Sequence, residues 1–167
     1  MNRRVLDRGM TVLAGTVIVT TLMLMTAPSV FAASPDLTIE TFGIDDEGNP
    51  FLTVKGTAGG TTPDETGDIY AYVFFTDDGI YAVTSHPGVP ADSNEGDGSA
   101  DWHGHKVKLS DENCVTDIND DSKAALDGNT ASVENTDATS VDKVLTAVLS
   151  TEKEGGICVA KVFDSQE

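Results

Sequence analysis

The sequence predicts an all-β chain: an antiparallel β-sandwich of immunoglobulin-like or Greek-key type with about eight or nine strands, a closed barrel being the alternative. Three observations carry this. Apolar residues after Ala32 recur with a period of two rather than 3.6. Turn-forming Asp, Asn, Gly and Pro separate those stretches at short, regular intervals. No segment after Ala32 has the repeat of a long amphipathic helix.

In chain order, residues 37–44 alternate, and Asp45-Asp46-Glu47-Gly48-Asn49-Pro50 turns the chain. A second strand follows over 51–58, then a Gly/Thr/Pro loop. Residues 69–76 are apolar on both faces, as suits a central strand. Asp77-Asp78-Gly79 signals a hairpin into a strand over 80–85. With Asp78-Gly79 as its two-residue turn, Phe75 would oppose Ala82 and Ala71 would oppose His86. A polar loop leads to strands over 102–109 and 114–118. Residues 123–126 read as a short strand or helix. Asp127-Gly128-Asn129 turns the chain into 130–133, and a last hairpin joins 141–151 to 157–163.

The N-terminus is organised differently. Arg3, Arg4 and Arg8 precede an uncharged stretch from Met10 to Ala27, Pro28 breaks it, and Val30-Phe31-Ala32 offers small residues for a cut after Ala32. This is the layout of a secretory signal peptide over 1–32, leaving 33–167 as one domain. An uncleaved membrane anchor is the alternative, since about 18 apolar residues just span a bilayer. A leader cut after Gly9, leaving a filament helix, is the third reading. Each places the body outside the cytoplasm.

The 167-residue chain carries 10 Lys+Arg and 28 Asp+Glu. Arg3, Arg4, Arg8 and Asp7 all lie near the N-terminus, so the body has 7 Lys against 27 acidic residues, a net −20. Seven scattered lysines assemble no basic patch, which excludes nucleic-acid binding through phosphates. The same deficit leaves membrane contact only to an uncleaved N-terminal segment. Cys114 and Cys158 are the only cysteines. An even count in an exported chain predicts a disulfide, stabilising by roughly 4 kcal/mol through loop closure.

The three histidines, His86, His103 and His105, fall within 20 positions. In the strand over 102–109, His103 and His105 share a face with Val107 and Leu109. Lys106 and Lys108 share the other, read as the solvent side. Imidazoles two apart on a strand sit about 7 Å apart at Cα, close enough to hold one ion. His86 from a neighbouring strand, with Asp101 from the loop, would complete a copper or zinc site. The loop residues Asp92, Asn94 and Asp97 have calcium-loop composition without EF-hand order. Tyr70, Tyr72 and Phe74 share one face of the central strand, either a second covered face or a surface for a glycan or protein partner. No nucleophile elbow, phosphate-binding Gly loop or zincin motif occurs. These features describe an exported acidic binding protein with a three-histidine copper or zinc site. A structural or adhesive cell-surface protein, anchored or filament-forming and without metal, is the second reading, and a metal-dependent enzyme the third.

Overall fold

A computed structural model describes residues 34–61, 68–85, 102–119, 122–153 and 156–167. The expected signal segment 1–32 lies outside the described residues, as do His86, Asp92, Asn94, Asp97 and Asp101. A single 3-10 turn, Pro35–Leu37, starts the body. Among the described residues ten strands follow: β1 (Ile39–Ile44), β2 (Pro50–Val54), β3 (Asp68–Thr76), β4 (Gly79–Ser85), β5 (His103–Leu109), β6 (Val115–Asn119), β7 (Lys123–Asp127), β8 (Thr130–Glu134), β9 (Val141–Lys153) and β10 (Gly156–Gln166). The segment read as short strand or helix is strand β7, which takes the number past the expected eight or nine.

The strands form two antiparallel sheets, β1-β2-β8-β7 and β10-β9-β3-β4-β5-β6. The sandwich is the expected one, and it is not closed into a barrel. Local chemistry sets the turns. Asp45 accepts the N–H groups of Glu47 (2.9 Å) and Asn49 (2.8 Å), which holds the β1–β2 turn. Gly128, at φ 58°, takes the left-handed conformation that the β7–β8 turn requires.

The space between the sheets is filled by one face of each. Leu52, Val54, Ala131 and Val133 of the smaller sheet meet Tyr72, Phe74, Tyr81, Val83 and Val144 of the larger, all essentially buried. Tyr72 is anchored twice. Its hydroxyl accepts the Gly59 N–H (2.8 Å) and donates to the Asp36 carbonyl (2.9 Å), while its ring stacks on Trp102. Burial pushes this phenol up to about 12 against the opposing pull of the Gly59 N–H. Tyr70 stacks on Phe163. Tyr70, Tyr72 and Phe74 do share a face, but that face is the sandwich interior. Tyr72 and Phe74 have no exposed area to offer a glycan or protein partner.

The layers are tied together in two places. At one, the Ile39 N–H donates to Asp164 (2.9 Å) and the Gln166 side chain donates to the Ile39 carbonyl (2.9 Å), so the end of β10 reaches β1. At the other, Gly104 of β5 lies against the Lys123–Ala124 backbone of β7, where a Cβ would come within 2.8 Å of the Lys123 carbonyl carbon. Only glycine permits that approach.

Candidate functional site

An antiparallel sheet in a sandwich usually turns one apolar face inward and one polar face to water. The six-stranded sheet does not. Its second face is also apolar, because β3, β4 and β9 carry aliphatic residues at both parities. Ile69, Ala71, Val73, Ala82, Leu145, Ala147 and Leu149 form a second buried cluster there, separate from the sandwich core.

The register aligns this face in rows across the strands. One row runs Lys143, Phe75, Ile80, Val107, Ile118 from β9 to β6. The next runs Leu145, Val73, Ala82, His105, and the third Ala147, Ala71, Thr84, His103. Two details differ from the sequence reading. The β3–β4 turn is Asp77-Asp78, not Asp78-Gly79, so Phe75 opposes Ile80 and Ala71 opposes Thr84. Asp77 accepts the Thr139 and Ser140 N–H groups (2.8 and 3.0 Å) and the Thr139 hydroxyl, which fixes it in the turn and holds its carboxyl down at about 2. The shift is by two residues, so each side chain keeps its expected face.

The second correction concerns what marks the outside. Trp102, Gly104 and Lys106 lie toward the smaller sheet rather than open solvent. Lys106 is half-buried, pairs with Asp78 at 2.8 Å and lies 5.2 Å from the Tyr81 ring centroid. The Tyr81 hydroxyl also donates to Asp78. The Lys106 ammonium, with that hydroxyl, holds the Asp78 carboxyl below its usual range. His103 and His105 are on the opposite face, beside Val107 and Leu109 as expected.

An apolar face of this size must be covered. Curling of the sheet supplies much of the cover. β6 and β10 are its outermost strands, yet the start of β6 meets the start of β10. The Val159 N–H donates to the Asn113 carbonyl (3.0 Å), Cys114 and Cys158 form an isolated antiparallel bridge, and the predicted Cys114–Cys158 disulfide joins them covalently. The clasp thus connects opposite edges of a six-stranded sheet, 44 residues apart in sequence.

Inside the curl is a cavity of about 610 Å3. All six strands contribute to its wall: Val73 and Phe75 from β3, Ala82 and Thr84 from β4, His105 and Val107 from β5, Val115 and Ile118 from β6, Leu145 and Leu149 from β9, and Ile157 and Val159 from β10. The residues flanking each cysteine (Asn113 and Val115, Ile157 and Val159) are among them. Among the described residues, the two exposed large apolar side chains, Ile118 (45% exposed) and Val162 (47%), also border it. Such a volume with mostly apolar walls and a few polar groups is typical of small-molecule sites.

The histidines touch this site. The His105 side chain is buried in the cavity wall, and its ring meets that of His103 edge-on at 4.6 Å between centroids. His103 Nε2 lies 3.5 Å from the Thr84 hydroxyl. The structure therefore brings two of the three predicted ligands together. His86 and Asp101, which would complete the set, fall outside the described residues, as do Asp92, Asn94 and Asp97 of the calcium-loop reading. Among the described residues, no group of three or more His, Cys, Asp or Glu is placed to hold a metal ion. Sequence reasoning missed the cavity, although its signal was present in strands apolar at both parities. No protein-family model, curated protein or solved structure matches the chain.

Proposed function

We propose that this chain is an exported binding protein whose ligand is a small apolar molecule held in the curl of the six-stranded sheet. One observation carries the reading. A cavity of about 610 Å3 is walled by side chains of all six strands, and the exposed apolar residues Ile118 and Val162 stand at its border. Removing an apolar ligand from water yields roughly 25 cal/mol for each Å2 buried, so a mostly aliphatic wall suffices for useful affinity. Export is supported by the signal-like layout of 1–32 and by the disulfide, which persists in oxidising compartments.

The test is titration of the purified body with a neutral apolar probe, for wild type and for Ala82→Phe. Ala82 lines the cavity, so the larger ring would occupy the ligand's space. Saturable binding that Ala82→Phe removes while the protein stays folded supports the reading. Equal binding by the variant rejects it.

A second reading is favoured by the edge-on contact of His103 with His105: a copper or zinc ion held by these two imidazoles with a further ligand from 86–101. Calorimetry with Cu(II) and Zn(II) decides it. One equivalent bound by wild type and lost in the double variant His103→Ala/His105→Ala supports the metal site. No heat, or the same heat from the variant, rejects it.

A further inference from the structure

The ionic make-up of the cavity narrows the ligand class. Resting on the apolar-cavity reading, we propose that the ligand is uncharged: a chiefly hydrocarbon molecule carrying a hydrogen-bonding group such as a hydroxyl, carbonyl or amide, rather than a carboxylate or an ammonium.

The described wall contains no Asp or Glu, so a cationic ligand finds no counter-charge among its described residues. Its one lysine is Lys143, at the end of the Lys143–Ile118 row, and the ammonium of Lys143 is already bound to the Glu167 carboxylate. An anionic ligand would have to displace that carboxylate and replace one ion pair with another. It would also approach a body of net charge −20, whose field repels anions over roughly a Debye length, about 8 Å at physiological salt. A charge brought into an apolar enclosure without a partner loses its hydration with nothing in return. A neutral amphiphile meets none of these penalties. The remaining polar wall groups, Thr84, Asn113, Thr151 and His105, are hydrogen-bonding side chains suited to orienting such a molecule.

The experiment compares three ligands that share one hydrocarbon chain: 1-decanol, decanoate and decylammonium. Each is titrated into the full body by calorimetry at pH 8, at 0.15 M and again at 0.5 M salt. The expected result is that decanol binds at least about tenfold more tightly than either ion. At high salt the gap to decanoate should narrow but persist, because desolvation inside the cavity remains once the field outside is screened. Decanoate or decylammonium binding within tenfold of decanol would overturn the neutral-ligand proposal and leave the apolar cavity standing. Failure of all three to bind would overturn the cavity reading and this proposal with it. The comparison uses wild-type protein throughout, so folding of a variant does not enter.

Discussion

Opening the clasp between β6 and β10 should weaken the fold and the cavity together. The perturbation is reduction of Cys114–Cys158, or the double substitution Cys114→Ala/Cys158→Ala; alanine is chosen because Cys158 is buried and a serine hydroxyl would have to be accommodated there. A cross-link spanning 44 positions restricts the unfolded chain by roughly 4 kcal/mol on the loop-entropy relation. Against a total stability of about 5–15 kcal/mol for an ordinary domain, that is a large share. With a urea dependence of about 2 kcal/mol per molar, the unfolding midpoint should fall by about 2 M. The second effect is local. Without the covalent tie, the sheet edges still meet through the Cys114–Cys158 backbone bridge and the Val159–Asn113 bond, which hold them less firmly. Asn113, Val115, Ile157 and Val159 would be held less tightly against one another as cavity wall, and affinity for a neutral apolar probe should drop at least roughly tenfold, about 1.4 kcal/mol. Urea unfolding by tryptophan fluorescence and probe titration, each with and without reductant, measure the two effects. A reduced protein that keeps both its midpoint within about 0.5 M and its probe affinity would refute the idea that the clasp shapes the site.

Other consequences are independent of the clasp. Tyr72→Phe removes the acceptor for the Gly59 N–H and the donor to the Asp36 carbonyl, and should cost about 1–3 kcal/mol in urea unfolding. The Tyr72 phenol sits at about 12 in the folded chain, above its ordinary value of about 10. Its contribution is therefore complete below pH 10 and lost as pH rises toward 12, and Tyr72→Phe should flatten stability over that window. Asp77 runs the other way: at about 2 in the folded state, its contribution is complete above about pH 4 and disappears as pH falls through 2. Acid unfolding of Asp77→Asn should accordingly show a shallower loss there. Gly104→Ala forces a Cβ within 2.8 Å of the Lys123 carbonyl carbon and 2.9 Å of the Ala124 nitrogen, so β5 and β7 must part. A destabilisation of about 1–3 kcal/mol by thermal or urea melts is expected, and a neutral result would show that the edge yields easily.

The two-residue period and the turn chemistry made most strands legible, down to the face on which each side chain of β3, β4 and β5 sits. Parity survives a register error of two, which is why misplacing the β3–β4 turn left the histidine faces intact. The error had a local cause. Asp77-Asp78-Gly79 contains two acceptable two-residue turns, and the choice is made by Thr139 and Ser140, more than 60 residues away. The assignment of faces to layers was not legible. Both faces of β3 are apolar, so nothing local says that Tyr72 and Phe74 meet the smaller sheet while Val73 and Phe75 line a cavity. Lys106 misled for a related reason: its long stem lies along Tyr81 and its charge is met by Asp78, so a lysine at a strand position did not mark open solvent. The disulfide followed from the count of cysteines. Its role in drawing the sheet edges together depends on strand order, which alternation does not encode.

Methyl chemical shifts followed while a neutral apolar probe such as 1-decanol is added test the cavity most directly. Saturable shifts concentrated on Val73, Leu145 and Val159, and abolished by Ala82→Phe, are the predicted result. Shifts centred instead on Leu52, Val54 and Val133 of the sandwich interior, or none at all, would contradict a binding site in the curl of the six-stranded sheet.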